Sequence, residues 1–255
     1  MALVDEIYRK NRARKYKLDS RRTRNTISLE GTIKNIDKKR EKGFIIEFKR
    51  SSPSGFRGNT VLNPEDFVVM VHEYADAISV LTEPDHFKGS FQDGTKLQDM
   101  NMPMLMKDFI CTEEMILAGY HSGFDAVLLI ADFLSVNDME VLANYALSLK
   151  MDVLAEFHDM EALERIPEKT GILVGYNRRN LKSLKMEPDE MNAMNMMSER
   201  KALKIVESGI GRDNFQELLE TQYNGFLIGA SVLNEPKFLK EIKEGESNYV
   251  DRKHA

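Results

Sequence analysis

The sequence has almost no cysteine and no tryptophan. Its 255 residues include a single cysteine, Cys111. One cysteine cannot form a disulfide within the chain, and without a Cys/His cluster the usual zinc sites are excluded. We therefore expect a protein of the reducing cytoplasm with no metal in its functional site.

Long apolar runs and a strong charge of one sign are also missing. No run approaches the roughly 18 apolar residues of a membrane span, and the N-terminus lacks the apolar core of a signal peptide. The formal net charge is only −5, so no overall positive field is available to hold nucleic acid. We expect neither a membrane nor a nucleic acid as partner, and any bound anion must be held locally.

The sequence does contain a series of short apolar segments rich in Ile, Val and Leu. Each is too short for a helix of its own, and continuous apolar character suits a strand that is buried on both faces. Eight such segments follow residue 43: "FIIEFK" (44–49), "AISVLTE" (77–83), "PMLMKDF" (103–109), "DAVLLIAD" (125–132), "DVLAEF" (152–157), "ILVGYN" (172–177), "LKIVESG" (203–209) and "GFLIG" (225–229).

Helix-like segments separate these predicted strands, among them "NPEDFVVMVHEYA" and "SVNDMEVLANYALSLK". Several open on Ser, Thr, Asn or Asp, the residues that cap helix N-termini. Eight strand-plus-helix units predict an α/β fold, a (β/α)8 TIM barrel. A doubly wound open sheet is the alternative, but the sequence has no early "GxGxxG".

The chain length is normal for one α/β barrel, although two small domains are possible on length alone. We expect a single barrel domain over residues 1–255, in which residues 1–40 form a polar, helical N-terminal extension.

Polar residues end the predicted strands. Barrel enzymes collect their functional groups at the carboxyl ends of strands, and here these positions hold Glu47, Lys49, Glu83, Lys107, Asp108, Asp132, Glu156, Asn177, Arg179, Glu207, Ser208 and Gly229. Alternation along the first strand places Glu47 and Lys49 on one side and Phe48 on the other. Both charged residues can therefore face the barrel mouth.

A single charge at a strand end is as often a structural salt bridge or a solvated rim residue. Several converging charges are harder to explain in that way, because each unpaired buried charge costs several kcal/mol and the group must form a network. Carboxylates near a lysine keep it protonated, and crowded carboxylates raise one another's pKa. Such a mouth would supply both a proton donor and a proton acceptor near neutral pH.

Two glycine-containing loops suggest a phosphate site. "ESGIG" and "LIGAS" follow the seventh and eighth predicted strands, where barrels of this class often bind phosphate with backbone amides. "KRSSPSG" could add Lys49 and Ser52 from the other side. Each loop alone could simply be a turn, but the pair at these positions favours a phosphate ligand.

In order and in register, the motifs "IIEFKRSSPSGF", "ISVLTEPDHFKGS", "PMLMKDFI", "VLAEFHD", "VGYNRRNL", "IVESGI" and "FLIGASVL" resemble indole-3-glycerol phosphate synthase. The similarity covers roughly residues 40–240. Members of that family carry an N-terminal helical extension, so the resemblance implies that residues 1–40 pack over the barrel mouth.

The resemblance implies a carbon-carbon lyase of tryptophan biosynthesis that needs no metal or organic cofactor. Its sugar-phosphate substrate, 1-(2-carboxyphenylamino)-1-deoxyribulose 5-phosphate, would close to indole-3-glycerol phosphate with loss of carbon dioxide and water. Lys107 would protonate the substrate carbonyl, and Glu156 would be the base of the dehydration. Lys49 would hold charged groups of the substrate and could deliver the second proton; the assignment of lysines to steps stays open. The remaining polar residues would orient these groups: Glu47, Asn177, Glu207 and Ser208.

The resemblance also implies residues that bind the substrate. They form an apolar wall for the anthranilate ring, a phosphate site and a polar rim: Phe87, Phe109, Leu128, Ser52, Gly209, Gly229, Ala230 and Arg179. The apolar residues could instead be ordinary packing at the top of the barrel. Ala230 stands where a serine or an acid is frequent, so a phosphate contact there would have to come from the backbone amide.

Arg178 is a second departure from the family pattern, because a small polar residue usually follows the asparagine. It could add positive charge near the mouth or point to solvent.

Two alternative functions stay open. The chain could be another sugar-phosphate barrel isomerase of histidine or tryptophan biosynthesis, or a barrel scaffold without activity. We expect a monomer, and association with other enzymes of the tryptophan pathway stays open.

Overall fold

The protein forms a closed barrel of eight parallel strands, which confirms the predicted fold class. The computed structural model describes residues 3–16, 21–36, 41–53, 55–58 and 63–254. The strands are β1 (Gly43–Phe48), β2 (Ala77–Leu81), β3 (Met104–Lys107), β4 (Ala126–Ile130), β5 (Asp152–Phe157), β6 (Ile172–Asn177), β7 (Lys204–Glu207) and β8 (Gly225–Ile228). Each pairs with the next in chain order, and β8 closes the barrel on β1.

The strands are buried on both faces, as their continuous apolar sequences require. Ile46 shows the closure, since it is in register with Ile78 of β2 on one side and Ile228 of β8 on the other. All residues of β1, β2, β4, β5, β6 and β8 are buried. This parallel register places the carboxyl ends of all eight strands at one rim, the barrel mouth.

Helices pack around the barrel and at its two ends. They are α1 (Leu3–Ala13), α2 (Leu29–Lys34), α3 (Pro64–Val71), α4 (Phe91–Lys96), α5 (Glu113–His121), α6 (Val136–Ser148), α7 (Glu190–Met197), α8 (Arg212–Leu219), α9 (Ala230–Asn234) and α10 (Phe238–His254), with a 3₁₀ helix at Met160–Arg165. The side chains of Asn63, Thr112 and Ser135 cap α3, α5 and α6 by accepting from backbone N–H groups. None of the described helices has the length and apolar character needed to cross a bilayer.

The N-terminal region is divided between the two ends of the barrel. Helix α1 lies at the mouth, where the Asn11 amide donates to Asp108 Oδ1 just after β3, at 3.0 Å. Helix α2 lies at the opposite end, because Ser28 Oγ donates to the side chain of Asp152, the first residue of β5. Between them, Arg22 and Arg24 pair with the buried Asp125 directly before β4. The other parts of the predicted extension, residues 1–2, 17–20 and 37–40, lie outside the described residues.

Candidate active site

Strand β1 places an acid and a base side by side at the mouth. Glu47 and Lys49 both line the central cavity, and Lys49 Nζ lies 2.5 Å from Glu47 Oε1. Phe48 points to the opposite side, where it packs on Phe67 of α3 with ring centroids 5.2 Å apart. Strand alternation therefore produces the arrangement that the sequence predicts for this pair.

Lys107, the last residue of β3, joins two buried carboxylates. Its Nζ lies 2.8 Å from Glu207 Oε2 and 3.2 Å from Glu47 Oε2. Burial alone would lower the pKa of Lys107, but the carboxylates of Glu207, Glu47 and Glu156 together outweigh it and raise the pKa. Lys107 is therefore a charged ammonium at neutral pH, with a proton to donate.

Glu47 has the opposite shift. Burial would raise the pKa of its carboxyl group, but the charges and hydrogen bonds of Lys49 and Lys107 lower the pKa to about 2. It therefore remains ionised at neutral pH and holds both ammonium groups in place.

Glu156 on β5 is a buried acid whose surroundings oppose its ionisation. Its Oε1 accepts a hydrogen bond of 2.8 Å from Asn177 Nδ2, whereas its Oε2 has no hydrogen-bond partner among the described residues. Burial first, and then the negative charge of Glu207, raise the pKa of Glu156 well above its ordinary value. A carboxyl group with a raised pKa that lines a cavity is a candidate for proton transfer.

The absence of a side chain at residue 175 makes room for Glu207. A Cβ atom built on Gly175 would lie 2.6 Å from Glu207 Oε1 and 3.2 Å from Leu154 Cδ1. Real Cβ atoms do not approach another atom as closely as the first distance. The glycine thus permits the fully buried Glu207 side chain to reach Lys107.

A cavity of about 400 Å³ opens above these groups. Its wall is mostly apolar on the side of α1, β3 and β4, as an aromatic ligand would need. The predicted site residues that line it are Glu47, Lys49, Ser52, Phe87, Lys107, Phe109, Leu128, Glu156, Asn177, Arg179, Ser208, Gly209, Gly229 and Ala230. The structure thus brings them together at one mouth, with Glu207 directly behind Lys107.

Two loops close one end of the cavity. Ser208 and Gly209 follow β7, and Gly229 and Ala230 follow β8. Ser52, in the loop after β1, lines the same cavity, and β1 is the strand that pairs with β8. These are the loops for which the sequence suggests phosphate; Ser54 of the same "SPSG" motif lies outside the described residues.

Several cavity residues were not among the sequence-based candidates. Helix α1 supplies an apolar wall, and the connection between β6 and α7 adds two leucines. The signal in the sequence was weak, because these residues come from the N-terminal extension and from loops: Leu3, Val4, Ile7, Pro53, Phe56, Leu181 and Leu184.

Two of the polar strand-end side chains bind backbone N–H groups of loops and do not line the cavity. The Glu83 carboxylate accepts hydrogen bonds from the N–H groups of residues 85–87, at 2.7 to 3.0 Å. The Asp132 carboxylate accepts from the N–H groups of residues 158–159. These acids hold loops in place, the ordinary role of an isolated strand-end charge.

Arg178 does not point to solvent. Its side chain is 9% exposed, pairs with Glu190 of α7, and donates to the backbone carbonyl of Gly209. Arg179, by contrast, lines the cavity, and its Nη1 donates to the Leu184 carbonyl.

The sequence matches a known protein family along nearly its whole length. The sequence profile of the family described as indole-3-glycerol phosphate synthase matches residues 2–244. The chain belongs to the indole-3-glycerol phosphate synthase family. The match includes the N-terminal region as well as the barrel.

Curated relatives with the same name cover nearly the full length. The indole-3-glycerol phosphate synthase of Picrophilus torridus is 38% identical over 238 residues, which are 93% of this chain and 94% of the relative. That of Thermoplasma acidophilum is 36% identical over 241 residues, covering 94% and 98% of the two chains.

Solved structures with low sequence identity share the barrel. Tryptophan synthase subunit alpha from Legionella pneumophila superposes with a TM-score of 0.60 at 13% identity, over 89% of this chain and all of that chain. The 3-keto-L-gulonate-6-phosphate decarboxylase of Vibrio cholerae gives a TM-score of 0.60 at 15% identity, over 82% and 99%. These likenesses describe the fold alone.

Proposed function

We propose that the chain catalyses the indole-3-glycerol phosphate synthase reaction with the groups gathered at the barrel mouth. One observation carries the proposal: a charged Lys107 is held between Glu47 and Glu207, and the less readily ionised Glu156 lines the same cavity. The ring closure needs a proton donor early and a proton acceptor late, and these residues supply both.

Lys107 acts first. The ring carbon that bears the carboxylate attacks the ribulose carbonyl carbon, and the carbonyl oxygen takes a proton from Lys107 and becomes a hydroxyl group. The carbon-carboxylate bond then breaks, carbon dioxide leaves, and the bonding electrons return to the ring. The carboxylates of Glu47 and Glu207 keep Lys107 protonated and aimed at the carbonyl oxygen.

Glu156 acts in the dehydration. It accepts a proton from the carbon next to the nitrogen while the hydroxyl group leaves as water, and the pyrrole ring becomes aromatic. Asn177 holds Glu156 through Oε1, and Oε2, which has no partner in the described part of the chain, is free to take the proton. We assign the second acid to Lys49, because Lys107 has already given up its proton and Lys49 is the other lysine in contact with Glu47.

The cavity fits the parts of the substrate. Phe87, Phe109 and Leu128 form the apolar wall for the anthranilate ring, and Arg179 with Lys49 offers positive charge to its carboxylate. At the other end the phosphate would meet a set of small residues and backbone groups: Ser52, Ser208, Gly209, Gly229 and Ala230. We further propose that the enzyme is a monomer and works in the cytoplasm. The single cysteine supports the reducing compartment.

A fluorescence assay tests the proposed function. The chain has no tryptophan, so indole emission should grow from a dark background when the carboxyphenylamino sugar phosphate is added, with carbon dioxide released in equal amount. Folded protein that yields neither product would overturn the proposal. Interconversion of sugar phosphates without carbon dioxide would favour the isomerase alternative.

A further inference from the structure

Arg178 is buried beside the proposed phosphate end of the cavity without facing it. It follows Asn177 at the end of β6, and its side chain is 9% exposed. Its neighbours Asn177 and Arg179 line the cavity, whereas Arg178 is not among the described residues that line it. The guanidinium group therefore lies behind the loop after β7, on the side away from the substrate.

The guanidinium group holds the carbonyl side of the Ser208–Gly209 turn. Nη1 of Arg178 donates to the Gly209 carbonyl at 3.0 Å and to the Ser208 carbonyl at 3.4 Å. Nε donates to Glu190 Oε1 at 2.5 Å, which ties the turn to the start of α7. The Asn214 amide also donates to the Gly209 carbonyl, at 2.8 Å.

The turn needs such support because its backbone is left-handed twice in succession. Ser208 has φ +70° and Gly209 has φ +61°, and a residue with a side chain pays roughly 1 kcal/mol for this conformation. Among the described residues, the N–H groups of Gly209 and Ile210 have no hydrogen-bond acceptor, although both residues line the cavity. The carbonyl side of the turn is fixed and its amide side is available to an anion.

We propose that Arg178 is a positioning residue for the substrate phosphate. It fixes the Ser208 and Gly209 carbonyls, so that the adjoining N–H groups stay turned towards the cavity, and its charge polarises these peptide groups in favour of an anion. The inference rests on the proposed function, since it takes the phosphate to bind at this turn. Arg178 acts through the backbone and touches no reacting atom.

Steady-state kinetics of Arg178→Ala, with inorganic phosphate as a competitive probe, test this role. We expect KM and the phosphate inhibition constant to rise by the same factor, about tenfold, the effect of one hydrogen bond to a charged group. The kcat should stay within about threefold, because Lys107 and Glu156 are untouched. Arg178→Lys keeps the charge but loses the planar guanidinium group that binds two carbonyls, so both constants should rise by a smaller factor, about threefold.

Two control variants separate this role from general loss of structure. Lys182→Ala and Lys185→Ala each remove an exposed charge from the same loop; neither should change either constant by more than about twofold. Unchanged KM and phosphate inhibition in folded Arg178→Ala, or a fall in kcat alone, would overturn the inference. If Arg178→Ala does not fold, Arg178→Lys decides by the same criterion.

A phosphate-dependent rise in Tm provides a readout that needs no turnover. Wild type should be stabilised by inorganic phosphate, and Arg178→Ala clearly less so. Wild type that makes indole-3-glycerol phosphate while phosphate stabilises both proteins equally would overturn the role of Arg178 alone. Wild type that shows the phosphate effect without turnover would overturn the proposed function alone.

Discussion

Lys107 Nζ lies 2.8 Å from Glu207 Oε2, and the Glu207 side chain is completely buried. The two residues are 100 positions apart in the sequence and meet only because β3 and β7 end at the same rim. Glu207 has two electrostatic effects: it raises the pKa of Lys107, and its negative charge is one of the causes that raise the pKa of Glu156.

Glu207→Gln should change both rate and pH dependence. The neutral amide keeps the shape but no longer opposes ionisation of Glu156, so the pKa of Glu156 falls and the acidic limb of the kcat/KM profile moves to lower pH. We expect kcat to fall about 10- to 100-fold, because Lys107 is held less firmly. The pH–rate profile of the purified variant measures both effects.

Glu83→Gln is the matched control for that variant. Glu83 is also a buried glutamate at a strand end, but it binds backbone N–H groups and does not line the cavity. Its replacement should cost stability and leave the pH profile unchanged. An acidic limb that moves equally in both variants would show that Glu207 has no specific influence on the site.

Glu156→Gln should form no indole product and should be more stable than wild type at neutral pH. Burial raises the pKa of Glu156 above the ordinary 4.5, so ionisation is harder in the folded than in the unfolded protein. Below pH 4.5 the carboxyl group is protonated in both the folded and the unfolded protein and does not affect stability. As the pH rises towards the pKa of the folded state, the free energy of unfolding falls. The amide avoids this loss, so we expect Glu156→Gln to have the higher free energy of unfolding at pH 7.

Urea unfolding of wild type and Glu156→Gln between pH 4 and pH 8 measures the gain. The difference should vanish near pH 4 and grow with pH, whereas the exposed Glu161→Gln should show no such trend. A Glu156→Gln protein that is less stable than wild type at pH 7 would contradict the assigned direction of the pKa shift.

Asn11→Ala should release α1 from the mouth. The buried Asn11 amide donates to Asp108 Oδ1 at 3.0 Å and to the Phe109 carbonyl at 3.1 Å. Its loss should cost about 1–3 kcal/mol of folding free energy. KM should rise several-fold as the wall formed by α1 loosens, with a smaller effect on kcat. Arg9→Ala, on an exposed position of α1, is the control and should leave KM unchanged.

The fold was predictable because its signal is local. Eight continuously apolar segments separated by capped helices are enough to predict a parallel barrel, and strand alternation predicts that Glu47 and Lys49 share a side. The sequence could not separate Glu83 and Asp132 from the cavity residues, because an acid at a strand end looks the same whether it binds a loop or a substrate.

Contacts between distant segments could not be predicted from the sequence. The position of α1 depends on the pairing of Asn11 with Asp108, 97 residues away. No local sequence pattern indicates this pairing. The orientation of Arg178 depends in the same way on Glu190 and on the turn at Gly209. The sequence therefore left its two possible directions open.

Gly175→Ala should damage the site by steric means. The new methyl group would meet Glu207 Oε1 at 2.6 Å, so Glu207 must move away from Lys107. We expect a loss of about 1–3 kcal/mol in folding free energy and at least a tenfold fall in kcat. Val174→Ala is the control, since it cuts a buried side chain on the same strand: similar destabilisation should leave kcat nearly unchanged. Equal kcat values for the two variants would contradict the steric argument.

In the proposed reaction Lys107 acts before Glu156, and a single-turnover experiment that follows carbon dioxide and indole separately distinguishes the two residues. Lys107→Ala should bind the carboxyphenylamino sugar phosphate but release neither product at more than about a thousandth of the wild-type rate. Glu156→Gln should release up to one carbon dioxide per active site while indole fluorescence stays flat, because ring closure precedes dehydration. Formation of both products at wild-type rates in either variant, or carbon dioxide release by Lys107→Ala but not by Glu156→Gln, would rule out this order of steps.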